Sequence, residues 1–442
     1  MTRALYSLLM WLGQPLLRRK LKRRGELEAG YQQHVEERFG RYAPDGGAAP
    51  GGYLWVHAVS LGEARTAALL IARLRERLPG MRLLLTHGTA TGRAEGLSLL
   101  RPGDRQVWLP WDTPGAVQRF LNRFKPKLGV LIETELWPNL SAACAERGVP
   151  LVMVNARLSE KSLRQTRRMG WLARPAYRAL TAVWAQTADD ARRLASMGAP
   201  VKGALGNLKF DANPDAQTLA QGQAWRTAQP TPVLMLAVSR EGEEAALLDL
   251  LAATPLAGQA GAPASGVDAV QWLIVPRHPQ RFDAVATLIE SRGFLVSRRS
   301  AWSTAGPSRA TTPPRTVWLG DSLGEMALYY GLADVALLGG SFEPLGGQNL
   351  IEAAACACPV VMGPHTFNFA QAAELAVAAG AALRAPDLAS AVEMARSLAV
   401  DAPERARRSV VATEFAKAHR GALDRTCDAL LALLDRPGVE RS

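Results

Sequence analysis

From position 339 the chain reads Gly339-Gly340-Ser341 and then, four residues on, Gly346-Gly347-Gln348-Asn349-Leu350-Ile351-Glu352. An apolar run, Val335 to Gly339, precedes this segment and a helical pattern follows it, so the glycines fall at a strand-to-helix turn. Glycine lets a phosphate or sugar approach the backbone closely, and N–H groups at a helix start stabilise an anion. Glu352, one turn in, has two oxygens that can accept from a pair of ribose hydroxyls. The same residues also suit a tight turn with a helix-dipole charge, and the segment alone leaves both readings open. Two further stretches share its character. Gly320-Asp321-Ser322-Leu323-Gly324-Glu325-Met326 repeats the strand, glycine turn and helix, and Pro276-Arg277-His278-Pro279 ends another strand with a cation. In a doubly wound sheet such strand ends converge where ligands bind. In the first half, Glu63 follows a strand and a glycine turn. A carboxylate there can take a proton from an attacking hydroxyl, or simply favour the helix start beside it.

These positions need scaffolding, and the chain alternates short apolar runs with helical patterns, the mark of parallel sheets with crossover helices. Strands are expected at Tyr53 to Val59, Arg82 to Thr86, Leu128 to Ile132, Leu151 to Asn155 and Ala182 to Gln186. A helix is expected from Glu63 to Leu78, where Leu70, Leu74 and Leu78 recur every fourth residue. The segment from Phe210 to Pro232 is polar and rich in Asn, Pro, Gln and Thr, and reads as a hinge. A second set follows at Val233 to Val238, Trp272 to Pro276, Val317 to Leu319, Val335 to Gly339 and Val360 to Gly363. Two Rossmann-like halves facing one another are implied. Two stretches dominated by Ala, Gly, Pro, Ser and Thr, Ala252 to Val267 and Ser300 to Arg315, read as mobile loops.

At 442 residues the chain is too long for one ordinary core and suits two domains. Hydrophobic content of 48% with 21% charged residues is ordinary for a globular protein and excludes disorder and a polytopic membrane protein. The net charge of +12 points to anionic partners. Arg18, Arg19, Lys20, Lys22, Arg23 and Arg24 put six cations within seven positions, directly after the apolar stretch Ala4 to Leu17. That stretch is broken by Gly13-Gln14-Pro15 and is shorter than the roughly 20 residues of a spanning helix. A signal peptide carries its charge before the apolar run, and here it follows. The pair reads as an anchor in the cytoplasmic leaflet, each cation contributing roughly 1 kcal/mol against anionic headgroups; a helix packed on the domain is the plainer alternative. The concentration of cations there, and the lack of a nucleic-acid module, argue against nucleic acid as partner. Cys144, Cys356, Cys358 and Cys427 form no disulfide framework and read as reduced thiols, the Cys-x-Cys being core residues rather than metal ligands.

Several motifs in order complete the picture: His57-Ala58-Val59-Ser60-Leu61-Gly62-Glu63, Glu133-Thr134-Glu135-Leu136-Trp137-Pro138-Asn139, Asn155-Ala156-Arg157-Leu158-Ser159, Lys209-Phe210-Asp211, Arg240-Glu241-Gly242-Glu243-Glu244, Pro276 to Pro279, and Gly363-Pro364-His365-Thr366-Phe367-Asn368-Phe369. Through them the sequence resembles, over essentially its whole length, the 3-deoxy-D-manno-octulosonic acid (Kdo) transferase family of lipopolysaccharide biosynthesis. The resemblance implies an α/β chain of GT-B architecture, two Rossmann-like domains facing a cleft, with an N-terminal membrane-anchoring helix. The expected divisions are 1–24 anchor and basic flank, 25–210 acceptor domain, 211–231 hinge and 232–442 donor domain. It implies inverting transfer of Kdo from CMP-Kdo to the lipid A precursor, lipid IVA, at the cytoplasmic face of a bacterial inner membrane. Glu63 is then the general base, with Glu133 and Lys209 supporting the transition state. CMP is expected at Pro276, Arg277, Leu323, Gly324, Glu325, Asn349, Leu350, Ile351 and Glu352. No Asp-x-Asp occurs, and with one phosphate on the donor no metal and no cofactor is expected. Gln348, Leu350 and Asn207 depart from the family's usual histidine, proline and serine, which bears on substrate preference rather than on the reaction. Another GT-B transferase or a nucleotide-sugar epimerase is the alternative enzyme reading, and a basic membrane-surface or nucleic-acid-binding protein the alternative outside enzymes.

Overall fold

The computed structural model describes residues 2–43, 52–211, 213–253, 270–307 and 315–435, in two compact units. One comprises Met1–Asp211 with Arg420–Ser442, the other Ala212–His419.

The first unit is built on a seven-stranded parallel sheet of β1 (Tyr53–His57), β2 (Leu83–His87), β3 (Arg105–Trp108), β4 (Pro126–Ile132), β5 (Leu151–Ala156), β6 (Ala182–Ala185) and β7 (Val201–Ala204). Their order is β3-β2-β1-β4-β5-β6-β7, so the direction of winding reverses between β1 and β4. The helices are α1 (Thr2–Leu12), α2 (Gln14–Leu27), α3 (Leu61–Arg77), α4 (Ala90–Leu97), α5 (Pro114–Phe124), α6 (Pro138–Glu146), α7 (Glu160–Arg168), α8 (Gly170–Arg178) and α9 (Ala188–Ser196). Strand alternation sends Leu54 and Val56 toward α3, and Tyr53 and Trp55 toward α5, giving a core on each face. Trp55 and Phe120 meet edge to face at 5.1 Å, and each contributes about 2 to 3 kcal/mol through burial.

The second unit repeats the scheme with β8 (Val233–Ser239), β9 (Gln271–Pro276), β10 (Leu295–Arg298), β11 (Thr316–Leu319), β12 (Val335–Leu338), β13 (Val360–Met362) and β14 (Ala382–Arg384). The order is β10-β11-β9-β8-β12-β13-β14, reversing between β8 and β12. Its helices are α10 (Ala216–Ala228), α11 (Glu243–Ala253), α12 (Phe282–Ser291), α13 (Met326–Leu332), α14 (Leu350–Ala355), α15 (Ala370–Ala378), α16 (Leu388–Val400) and α17 (Ala402–Ala418). The last helix, α18 (Ala422–Leu434), returns to the first unit and packs on α3.

Three expectations change. Residues 420–435 were assigned to the second domain, but Ala422, Cys427 and Leu430 complete the core around α3, and Asp211 accepts from Gly421 N (2.5 Å) and Leu423 N (2.7 Å). The hinge segment holds α10, capped by Asp215 (2.8 Å to Thr218 N) and pressed so closely on α13 that a Cβ at Gly222 would lie 2.1 Å from Leu328 O. Of the loops, 254–267 and 308–314 lie outside the described residues, whereas Trp302 is wedged edge to face against Trp225 (5.9 Å) and Trp318 (5.5 Å). All four cysteines are free and buried, with burial pushing Cys144, Cys356 and Cys427 up to about 12.

Helix α1 inverts the usual amphipathic arrangement. Its polar residues face the protein: Arg3 pairs with Glu146 (2.8 Å) and Ser7 donates to Asn139 Oδ1 (3.0 Å). Leu5, Leu8, Leu9 and Leu12 are 51 to 59% exposed. The cations of α2 are exposed beside them. Among the described residues no helix is long and apolar enough to cross a membrane.

Candidate active site

The switch point of the first sheet brings together Glu63, just past β1, with Glu133, just past β4. Ser60 caps α3, its hydroxyl accepting from Glu63 N at 3.4 Å, and Glu63 folds back so that Oε2 accepts from Val59 N at 2.7 Å. The helix-start reading of this carboxylate is therefore partly true, in the manner of a capping box. Its setting adds more. Burial pushes Glu63 up to about 7; the Val59 N–H opposes the shift, and the negative charges of Glu133 and Glu135 add to it. A carboxyl poised there exchanges protons at neutral pH.

The turn Val59–Ser60 that leads into Glu63 is clamped by the start of α4. Thr89 donates its hydroxyl to Val59 O (2.9 Å), and Gly88 N and Thr89 N reach the same oxygen. A Cβ at Gly92 would stand 2.9 Å from Val59 O and 3.1 Å from Ser60 C, so only glycine lets α4 come this near. His57, from the same motif, goes elsewhere: it is buried, Nδ1 lies 2.9 Å from Thr86 Oγ1, and burial pushes it down to about 3, leaving it neutral.

Glu133 takes its place at the end of β4 in the left-handed region (φ +66°), and Asn155, at the end of β5, does likewise (φ +52°). Left-handed backbone outside glycine concentrates where function over-determines it. Lys209 Nζ reaches Glu133 Oε1 at 2.8 Å with both side chains mostly buried. Asn155 holds the pair in register: Oδ1 accepts from Leu208 N (3.0 Å), its carbonyl accepts from Gln186 (3.0 Å), and Nδ2 lies 3.5 Å from Glu133 Oε1. In the sequence Asn155 stands as the first residue of the Asn155–Ser159 motif and the end of the strand expected at Leu151 to Asn155, with no chemical role assigned to it.

In the second unit Glu243 sits at the switch between β8 and β12. Its buried carboxylate accepts from Arg240 N (2.9 Å), Gly340 N (2.7 Å) and Phe342 N (3.2 Å), tying the two strand ends together. Arg277, at the end of β9, donates to Gln348 Oε1 at 2.7 Å, so the Pro276-Arg277 corner and the 346–352 segment meet directly. Asn349 caps α14 by accepting from Ile351 N (3.1 Å). That bond takes one of the helix-start N–H groups expected to receive an anion, and the side chains of Leu350 and Ile351 are buried, leaving backbone as what these positions present. The Gly363–Phe369 motif folds onto the loop, with Gly363 N donating to Ser341 Oγ (2.8 Å) and Asn368 N to Gly346 O (2.9 Å).

Leu323, Gly324 and Glu325 follow β11, beside β9 in the sheet. Leu323 is 72% exposed and Gly324 adopts φ +78°. Glu325 is held by Arg299 at 2.8 Å, and Asp321 by Arg298 at 2.7 Å. Burial pushes Asp321 up, but the Ser300 and Arg298 contacts outweigh it and the carboxyl ends below its usual range. Arg299 directly precedes the Ser300 to Arg315 stretch read as a loop, and no role was assigned to it.

Two parallel sheets, each with its functional side chains at the strand ends around a winding reversal, define the class: Rossmann-like α/β domains as in GT-B glycosyltransferases and nucleotide-sugar epimerases. A UDP-GlcNAc 2-epimerase from Neisseria meningitidis superposes with TM-score 0.56 over 86% of this chain and 100% of that one, at 15% identity, a likeness of fold alone. The family described as 3-deoxy-D-manno-octulosonic-acid transferase (kdotransferase) matches residues 33–212. A 3-deoxy-D-manno-octulosonic acid transferase of Bordetella pertussis is 47% identical over 97% of this chain and 99% of its own length. One from Haemophilus influenzae is 32% identical over 99% and 100%. The chain belongs to the Kdo transferase family.

Proposed function

We propose that the protein transfers Kdo from CMP-Kdo to a hydroxyl of the lipid A precursor lipid IVA with inversion, Glu63 being the general base. The observation that carries this reading is the Glu63 carboxyl, buried at the switch point and pushed up to about 7, near Glu133, which in turn pairs with Lys209. Deprotonated, Glu63 takes the proton of the acceptor hydroxyl as the sugar bond forms. Lys209, oriented by Glu133, supplies positive charge where negative charge develops. In the second unit Arg277, positioned by Gln348, pairs with the donor's phosphate or carboxylate, and the backbone at Leu323–Glu325 and Asn349–Glu352 receives the nucleotide. No step calls for a metal, and EDTA is expected to leave turnover unchanged; strict dependence on an added divalent ion overturns that part.

The inverted α1 and the cations of α2 support a seat on an anionic bilayer, in keeping with a lipid acceptor at the cytoplasmic face of the inner membrane. Purified protein given CMP-Kdo and lipid IVA should yield Kdo-bearing lipid by mass spectrometry and ignore UDP sugars. Turnover of a UDP sugar alone would replace this reading with that of another nucleotide-sugar enzyme.

A further inference from the structure

The inner face of α1 packs on α6 and α8, and its most specific contacts are at the start of α6. The Tyr6 hydroxyl lies beside the buried carboxylate of Asp112 and interacts with it electrostatically. Asp112 in turn accepts from Asn139 N at Oδ2 (2.9 Å) and from Leu140 N at Oδ1 (2.9 Å), and so caps α6 from a distant loop. The Asn139 side chain donates to Asp112 O (2.7 Å) and accepts from Ser7 (3.0 Å). Five residues before Leu140 comes Glu135, and two before that Glu133. The segment Glu133–Trp137 is thus pinned at both ends. At Glu133 its backbone bonds Val154 O (3.1 Å) and Arg157 N (3.2 Å); at Asn139 it hangs on Asp112, which Tyr6 adjoins, and on Ser7.

We propose that Tyr6 and Ser7 are positioning residues for the reaction: α1 fixes the acceptor-site segment Glu133–Trp137 through Asp112 and Asn139, so the helix whose outer face is apolar also sets the catalytic loop. A helix serving only as a tether has no need of specific polar contacts on its inner side. Here the three polar residues spaced to face inward all find partners, while the leucines face out. The inference rests on the reading of Glu133 and Glu63 given above.

The test uses the full-length protein with Tyr6→Phe, Ser7→Ala and the pair together, assayed in detergent micelles of lipid IVA so that binding to a bilayer does not limit the rate. The double variant should lose roughly tenfold in kcat, the scale on which small misplacement of a catalytic group acts. The KM for CMP-Kdo and flotation with anionic phosphatidylglycerol vesicles should stay at wild-type values. Leu8→Ser with Leu9→Ser, on the outer face, should show the reverse, losing flotation while keeping kcat in micelles. Hydrogen exchange at the Asn139 and Leu140 amides gives a readout independent of turnover, and it should quicken in the Tyr6 and Ser7 variants. Wild-type kcat together with unchanged exchange in the double variant overturns the proposal. If the wild-type protein moves no Kdo at all, the functional reading falls, while the exchange rates still decide whether α1 holds this segment.

Discussion

At the scale of single residues, the Glu63 carboxyl carries opposed demands. Its bond from Val59 N favours the ionised form, and burial, the larger effect, favours the neutral one. Rate and stability should therefore move in opposite directions with pH. As pH falls through about 7 the base is protonated, so kcat should decline along a limb centred there. For stability, a carboxyl whose folded value lies above its unfolded value contributes most below the unfolded value, and that contribution is lost as pH rises through about 7. Glu63→Gln keeps an acceptor for Val59 N and carries no charge. It should lose at least about a hundredfold in kcat, still bind CMP, and melt higher than wild type at pH 8 but not at pH 4. A variant with wild-type kcat, or one that melts lower at pH 8, contradicts this account. Little of this was legible beforehand. The sequence places Glu63 at a helix start, where a capping role and a catalytic one look alike. Glu133 and Lys209 are 76 positions apart, so their ion pair depends on two strand ends meeting.

Among elements, legibility followed the position of each strand in its sheet. The interior strands are continuous apolar runs because both faces are covered, and each was placed to within a few residues. The strands that went unread, β3, β7, β10 and β14, are the four sheet edges. They are three or four residues long, and β7 and β10 lack a single buried residue, so no apolar run marks them. Close approach between elements was equally hidden. Thr89, which caps α4, and Gly92 within it carry no sequence mark of their role, yet they hold the turn that leads into Glu63. Gly92→Ala sets two effects in competition. Alanine gains about 1 kcal/mol of helix propensity over glycine, while its Cβ, 2.9 Å from Val59 O, must push the loop or α4 aside. The melting temperature should change by only a few degrees, and kcat should fall roughly a hundredfold through displacement of Glu63. A variant that melts far lower while keeping its kcat would mean that the contact serves stability alone.

For the whole molecule, the chain leaves the first unit after Asp211 and comes back at Arg420, so that unit is closed by the far end of the sequence. Composition could not show this, because α18 has the ordinary amphipathic pattern of a helix on any sheet. What directs it is a set of partners on α3 and at Asp211. Arg73 pairs with Asp424 (2.6 Å) and Arg77 with Asp428 (3.0 Å), both exposed and worth little. Cys427, Leu430 and Leu433 are buried against the first core, and at about 1.5 to 3 kcal/mol for each large side chain they make up much of a domain's net stability. The second unit has its own core, and among the described residues its cluster around β8, β9 and β12 includes none from α18. Ending the chain after His419 should therefore unfold the first unit and leave the second intact. Calorimetry should show one surviving transition, and CMP should raise its midpoint, since a ligand that binds only the folded form stabilises it by mass action. If the shortened chain keeps the first unit's transition near its wild-type midpoint, α18 is peripheral and the burial argument is wrong. If the surviving transition ignores CMP, the nucleotide does not bind at the ends of β9, β11 and β12.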